Sequence, residues 1–93
     1  MYELRSISSI RPYENNPRIN ASAVDAVAAS IKEFGFQQPI VVDEEGVIIV
    51  GHTRYKAAIK LGLTEVPVKV AIGLSPTQAK AYRIADNATA SIA

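Results

Sequence analysis

The sequence contains no cysteine, no tryptophan, one histidine and one methionine. Without cysteine there is no disulfide scaffold, no thiolate zinc site and no cysteine nucleophile. One histidine leaves little from which to assemble a transition-metal site. Long apolar runs are missing too. Stretches such as residues 47–50 fall far short of the roughly 20 apolar residues that a membrane helix needs. The opening MYELR lacks the apolar segment of a secretion signal. These absences predict a cytoplasmic protein of a bacterium or virus, with no membrane partner. Nor is there an excess of one charge: the net value is +1, less basic than a dedicated DNA-coating domain.

What is present is a modest core. The 93 residues make one domain, and 48% of them are apolar, mostly Ala, Val and Ile. A chain this short buries only ~60–65% of the surface that its unfolded form exposes, so packing is tight or a partner covers part of the surface. Charge is local rather than global. Asp43, Glu44 and Glu45 cluster, while Arg54, Lys56 and Lys60 follow one another in mid-chain.

Leu4, Ile7 and Ile10 suit a short extended start. Residues 11–20, RPYENNPRIN, hold two prolines and three asparagines and read as a loop long enough to cover something. Val24, Val27, Ala28, Ile31 and Phe34 share one helical face, predicting a helix over 22–34. Asn20 or Ser22 is its cap, Asp25 lies in its first turn and Gly35 is its stop. Residues 39–42 and 47–50 are β-branched runs joined by Asp43-Glu44-Glu45-Gly46, a hairpin whose continuous apolarity suggests cover on both faces. A helix is expected over 53–61, ended by Gly62, then a buried strand over 65–72. Pro67 places the first residues of that strand at an edge or before pairing begins. Ser75-Pro76-Thr77-Gln78 is a capping-box start for a last helix running toward Ile92.

The chemistry concentrates at Val50-Gly51-His52-Thr53-Arg54, where a strand, a glycine and a helix start follow directly. The first amides of a helix lack internal acceptors and carry partial positive charge. Glycine lets an anion approach them. Arg54 can clamp phosphate in a bidentate fork, Thr53 offers a hydroxyl, and His52 a hydrogen bond or an acid–base group. The plainer alternative is a turn whose glycine serves geometry and whose arginine is solvated. Asp86 and Asn87, poor helix formers placed in a helix, could bind Mg²⁺ or hold Arg54, or mark where the helix frays. Asn15, Asn16 and Arg18 form a loop that either closes over a base or sugar or is a solvated connector. The acidic turn at Asp43 reads as a solvated hairpin tip.

Four segments in order, NPRIN (16–20), AVAASIKEFGFQQPIVVD (26–43), VGHTRYKAAIKLGLTEVPV (50–68) and AYRIADN (81–87), resemble the ParB-type N-terminal domain, a fold shared with sulfiredoxin. The wording is most similar to ParB-like domains of phage and mobile-element proteins, some fused to DNA adenine methyltransferases. The family often carries a nuclease label. The resemblance implies an α/β (α+β) fold with a small mixed sheet and three main helices over residues 1–93. That domain is either excised from a longer protein or stands alone, without room for a helix-turn-helix unit.

The resemblance further implies nucleotide binding, since the family's partition members bind CTP on a glycine-acid-arginine-arginine turn. Gly51 and Arg54 match that turn, and Lys56 replaces a basic residue. Asp86 and Asn87 match an acid–Asn pair that serves phosphate and Mg²⁺. His52 stands in place of the acid, Thr53 in place of the first arginine, and Ala90 in place of a later one. Losing a carboxylate that Mg²⁺ prefers argues against CTP hydrolysis and leaves nucleotide binding. Sulfiredoxin chemistry needs a cysteine that this chain lacks.

Three functions follow as expectations. One is a binder of CTP or ATP with Mg²⁺, with His52 and Asp86 as the catalytic candidates for any slow hydrolysis. The second is a non-catalytic module gripping the DNA backbone weakly through the same site and Lys56 and Lys60, or docking a partner domain. The third is a protein-interaction or dimerisation domain, such as a homodimer, with which the small core and the alanine-rich last helix are compatible.

Overall fold

The computed structural model describes residues 2–16 and 19–90, the side chains of 87–90 excepted. The chain enters through β1 (Glu3–Ser6) and a 3-10 turn (Ile7–Ser9). Residues 10–16, here termed the strap, lead toward α1 (Ala21–Phe34). A hairpin of β2 (Ile40–Val42) and β3 (Ile48–Val50) then passes directly into α2 (His52–Lys60). After β4 (Glu65–Val70), α3 (Pro76–Ala90) completes the described elements. The sheet order is β1-β4-β2-β3. β2 and β4 are parallel and the other two pairs antiparallel, so the sheet is mixed.

That topology positions α2. Parallel neighbours need a crossover, and β3 with α2 provides it between β2 and β4. Because β3 runs back along β2, α2 begins beside the start of β2, next to Pro39. The core lies between the sheet and this crossover: Ile40, Val42, Ile48, Val66 and Val68, with Ile10 and Ala58. Each fully buried Val or Ile contributes about 1.5–3 kcal/mol. Ile48 and Ile49 are both buried, which on a pleated strand means that both faces of β3 are covered at this point. α3 packs on β3, and α1 packs on α2.

Several local expectations are refined. Asp25 falls beyond the first turn of α1, because the helix starts at Ala21 and Asn20 is its cap, accepting from Ser22 N–H at 2.8 Å. Phe34, read as core-facing, is 65% exposed at the last turn of α1. Arg11 is not simple loop but bridges to Val47, donating to Gly46 O and accepting from Ile48 N, both at 2.9 Å. Pro67 lies on an interior strand rather than an edge. Ile7 N–H donates to Thr64 O, and the antiparallel alternation from there makes Leu4↔Pro67 a non-hydrogen-bonded pair. On the other side, pairing with β2 begins only at Val68, so the missing N–H leaves no gap in either ladder.

Candidate functional site

Gly51 caps α2 with φ 105° and ψ 27°, a left-handed conformation that suits glycine. A Cβ built there would lie 3.1 Å from Arg54 Nη2 and 3.3 Å from Ile40 Cγ1. The missing side chain is therefore the space that the Arg54 guanidinium uses. Tyr55 N–H reaches Gly51 O at 2.9 Å, so the amides of His52, Thr53 and Arg54 have no acceptor within the helix. No side chain among the described residues caps them.

Arg54 folds back beneath this turn. Its Nη2 donates to Pro39 O at 3.2 Å, while its buried Nε finds no acceptor among the described residues. Burial lowers the Arg54 pKa from its ordinary value, and the charge of Asp86 on α3 works in the opposite direction. The Asp86 carboxyl is itself raised by burial, with Arg54 counteracting. Asp86 and Arg54 thus stand within electrostatic reach of each other.

His52 is only 6% exposed, and its Nε2 accepts the Tyr13 N–H of the strap at 3.1 Å. Burial, reinforced by the charges of Arg83 and Lys56, lowers its pKa to about 4. At neutral pH the ring is therefore uncharged, with its proton on Nδ1, because the Nε2 lone pair is engaged. A ring so committed is poorly equipped to transfer protons.

Two clefts flank the start of α2. At 3.6 residues per turn, His52 and Lys56 share one face and Arg54 lies on the opposite one, with Thr53 between them. On the strap side, Asn16, His52, Lys56, Tyr13 and Tyr55 line about 280 Å³. On the α1 side, Arg54 joins Phe36, Gln37 and Gln38 around about 260 Å³. The sequence reading thus meets in one neighbourhood at Gly51, His52, Thr53, Arg54, Lys56, Asn16 and Asp86. Arg18 and the Asn87 side chain lie outside the described residues. Lys60 is engaged with Asp25 across α1 and α2. Among the described residues, no group of three His, Asp or Glu side chains could hold a metal by itself.

Sequence reasoning gave no role to Arg83, which is 7% exposed. It donates from Nε to Ile48 O at 3.0 Å and from Nη2 to Asp43 Oδ2 at 3.2 Å. Its guanidinium carbon sits 4.3 Å from the centre of the Tyr13 ring. The signal was present: Arg83 follows Ala79 by four residues, on the face that α3 buries. Of the acidic turn read as a solvated tip, Glu44 and Glu45 are exposed, but Asp43 is held. It accepts from Glu45 N at 2.9 Å and Val47 N at 3.0 Å. Burial pushes its pKa up, but these amides and Arg83 outweigh that and hold the carboxyl below its usual value. Gln37 and Gln38 also went unnamed as site residues, because nothing in their spacing ties them to Arg54.

Residues 3–88 match the model of the ParB N-terminal domain. The ParB-like nuclease domain-containing protein YnaK of Escherichia coli (strain K12) is 40% identical over 75 residues, 80% of this chain and 86% of that protein. Among solved structures, the C-terminally truncated chromosome-partitioning protein ParB from Caulobacter crescentus, complexed with CTP-γ-S, gives a TM-score of 0.82 at 26% identity, covering 96% of this chain and 53% of that one. Sulfiredoxin from Arabidopsis thaliana gives 0.69 at 27% identity, covering 78% and 86%. The chain spans only about a quarter of the length of the curated partitioning relatives that it matches. With the family model matched from β1 into α3, the chain belongs to the ParB N-terminal domain family.

Proposed function

We propose that this domain binds a nucleoside triphosphate, CTP or ATP, with the phosphates on the open first turn of α2. The observation that carries the reading is the helix start at Gly51, which no described side chain caps, flanked by Arg54 on one face and Lys56 on the other. Its support from outside the chain is the likeness to a partitioning protein solved with a CTP analogue.

Each residue has a role in this reading. The amides of His52, Thr53 and Arg54 receive phosphate oxygens in the field of the helix dipole. Arg54 supplies charge from below, and its buried Nε gains an acceptor. Thr53 adds a hydroxyl where the two faces meet. Lys56 and Asn16 meet the far phosphates on the strap side, and Asn87 joins as the resemblance implies. The nucleoside lies on the α1 side, where Phe36 offers an apolar surface and Gln38 a hydrogen-bonding amide.

A Mg²⁺ accompanying the nucleotide would be held by its phosphates with Asp86 and Asn87, the one-carboxylate arrangement that Mg²⁺ commonly accepts. The ion supplies charge neutralisation between phosphate oxygens. Because His52 is spent on the strap, the domain is read as a binder rather than a hydrolase. Lys60, paired with Asp25, contributes little to a DNA-backbone grip, which weighs against that alternative.

Calorimetric titration with CTP, ATP, GTP and inorganic phosphate, each with and without Mg²⁺, tests the reading. Saturable binding of one triphosphate by the wild type, lost in Arg54→Ala, is the expected result. No binding of any of the four overturns it and turns attention to salt-dependent DNA binding.

A further inference from the structure

The strap touches two helices through one residue. Tyr13 donates its backbone N–H to His52 at the start of α2, and its ring lies against the guanidinium of Arg83 on α3. We propose that Arg83 is a positioning residue for the site: by carrying the Tyr13 ring, it sets where the strap stands against the first turn of α2, and so the width of the cleft that receives the far phosphates. This deepens the triphosphate reading and rests on it.

Arg83 is itself fixed before it holds anything. Nε is bonded to Ile48 O on β3, and Nη2 to Asp43 Oδ2 and, at 3.4 Å, to Val47 O. Asp43 in turn is held by the amides of the β2–β3 turn. The guanidinium plane is thereby locked to the hairpin, and its face remains for an aromatic ring. A lysine could keep the charge near Asp43, but it has neither the Nε donor nor the planar face.

Among the described residues, further anchors of the strap lie on either side of Tyr13. Arg11 is stitched to β3, Pro12 restricts the backbone, and Asn16 N–H closes a turn on Tyr13 O at 3.1 Å. Between the stitch at Arg11 and that turn, Tyr13 is where the strap meets α2 and α3 together. Asn16, three residues on, lines the same cleft as His52 and Lys56. A shift of Tyr13 therefore moves the wall of that cleft while leaving Gly51 and Arg54 in place.

Two readouts separate positioning from general stability. The first needs no ligand: amide hydrogen exchange at Tyr13, whose N–H is held by His52, compared with Ile48 and Val68 in the sheet. In Arg83→Lys the Tyr13 amide is expected to exchange about tenfold faster, the scale of a partly buried cation–π contact, with the sheet amides unchanged. The second is affinity. Arg83→Lys and Tyr13→Leu are expected to weaken triphosphate binding by about tenfold and to leave inorganic phosphate binding unchanged, while Tyr13→Phe retains wild-type affinity.

Unchanged Tyr13 exchange in Arg83→Lys overturns the proposal. So does an equal loss of triphosphate and phosphate binding. If Arg83→Lys fails to fold, the contrast between Tyr13→Leu and Tyr13→Phe decides by the same two readouts. A wild type that binds no nucleotide defeats the triphosphate reading, and the exchange measurement then still decides whether Arg83 holds the strap.

Discussion

α1 and α3 begin on side chains that answer their first amides. Asn20 Oδ1 accepts from Ser22 N–H. Ser75 and Gln78 bond reciprocally, Gln78 N–H to Ser75 Oγ at 3.1 Å and Ser75 N–H to Gln78 Oε1 at 2.9 Å. α2 begins on Gly51, and no described side chain does the same for it. A cap is typically worth about 1 kcal/mol, a large sum for a thin core. Among the described residues, side chains supply that stabilisation at two helix starts and not at the third, where Arg54 and Lys56 stand on either side. The difference separates helix starts that serve the fold from the one that the proposed function assigns to an anion.

That contrast can be pressed at several points. The largest effect expected is one of pH. His52 titrates at about 4 in the fold against 6.5 when exposed. Between these values the unfolded chain takes up a proton that the folded chain refuses. Stability is therefore complete above about pH 6.5 and is lost as the pH falls toward 4, by up to ~3 kcal/mol. Urea unfolding at neutral and mildly acid pH reads this loss, and His52→Gln removes that part of the slope.

Arg83→Met leaves Asp43 without its ion partner and Ile48 O without its side-chain donor. It is expected to cost about 2–3 kcal/mol in the same assay. Gly51→Ala forces a side chain into a left-handed residue and against Arg54. It should cost about 2 kcal/mol and abolish nucleotide binding together. Smallest are the caps themselves: Asn20→Ala and Ser75→Ala should each cost about 1 kcal/mol and leave nucleotide affinity unchanged. Caps that altered affinity would erase the distinction between the three helix starts.

Much of this arrangement was legible in the residues. Periodicity and stop signals located α1 and α2 to within a residue and the start of α3 at Pro76, because Asn20, Gly35, Gly62 and the Ser75–Gln78 box act locally; the expected run toward Ile92 lies outside the described residues. The Gly51 turn was visible for the same reason. What stayed hidden depends on side chains that meet across the fold. Tyr13 lies 39 residues from His52, and Arg83 lies 40 from Asp43. Local rules therefore made His52 a proton-transfer candidate and Asp43 a solvated tip. Burial and long-range hydrogen bonds anchor Asp43 in the hairpin and engage the His52 ring with the strap. For Pro67 the residues left two alternatives, an edge or a place before pairing begins, and the register selects the second on the β2 side.

The most direct test is a two-dimensional amide NMR titration of the wild-type domain with CTP, ATP and inorganic phosphate. The account predicts saturable shifts of the His52, Thr53 and Arg54 amides, with the Ser22 and Gln78 amides at the two capped starts unmoved. Shifts of equal size at all three helix starts, or none at residues 52–54, would contradict it.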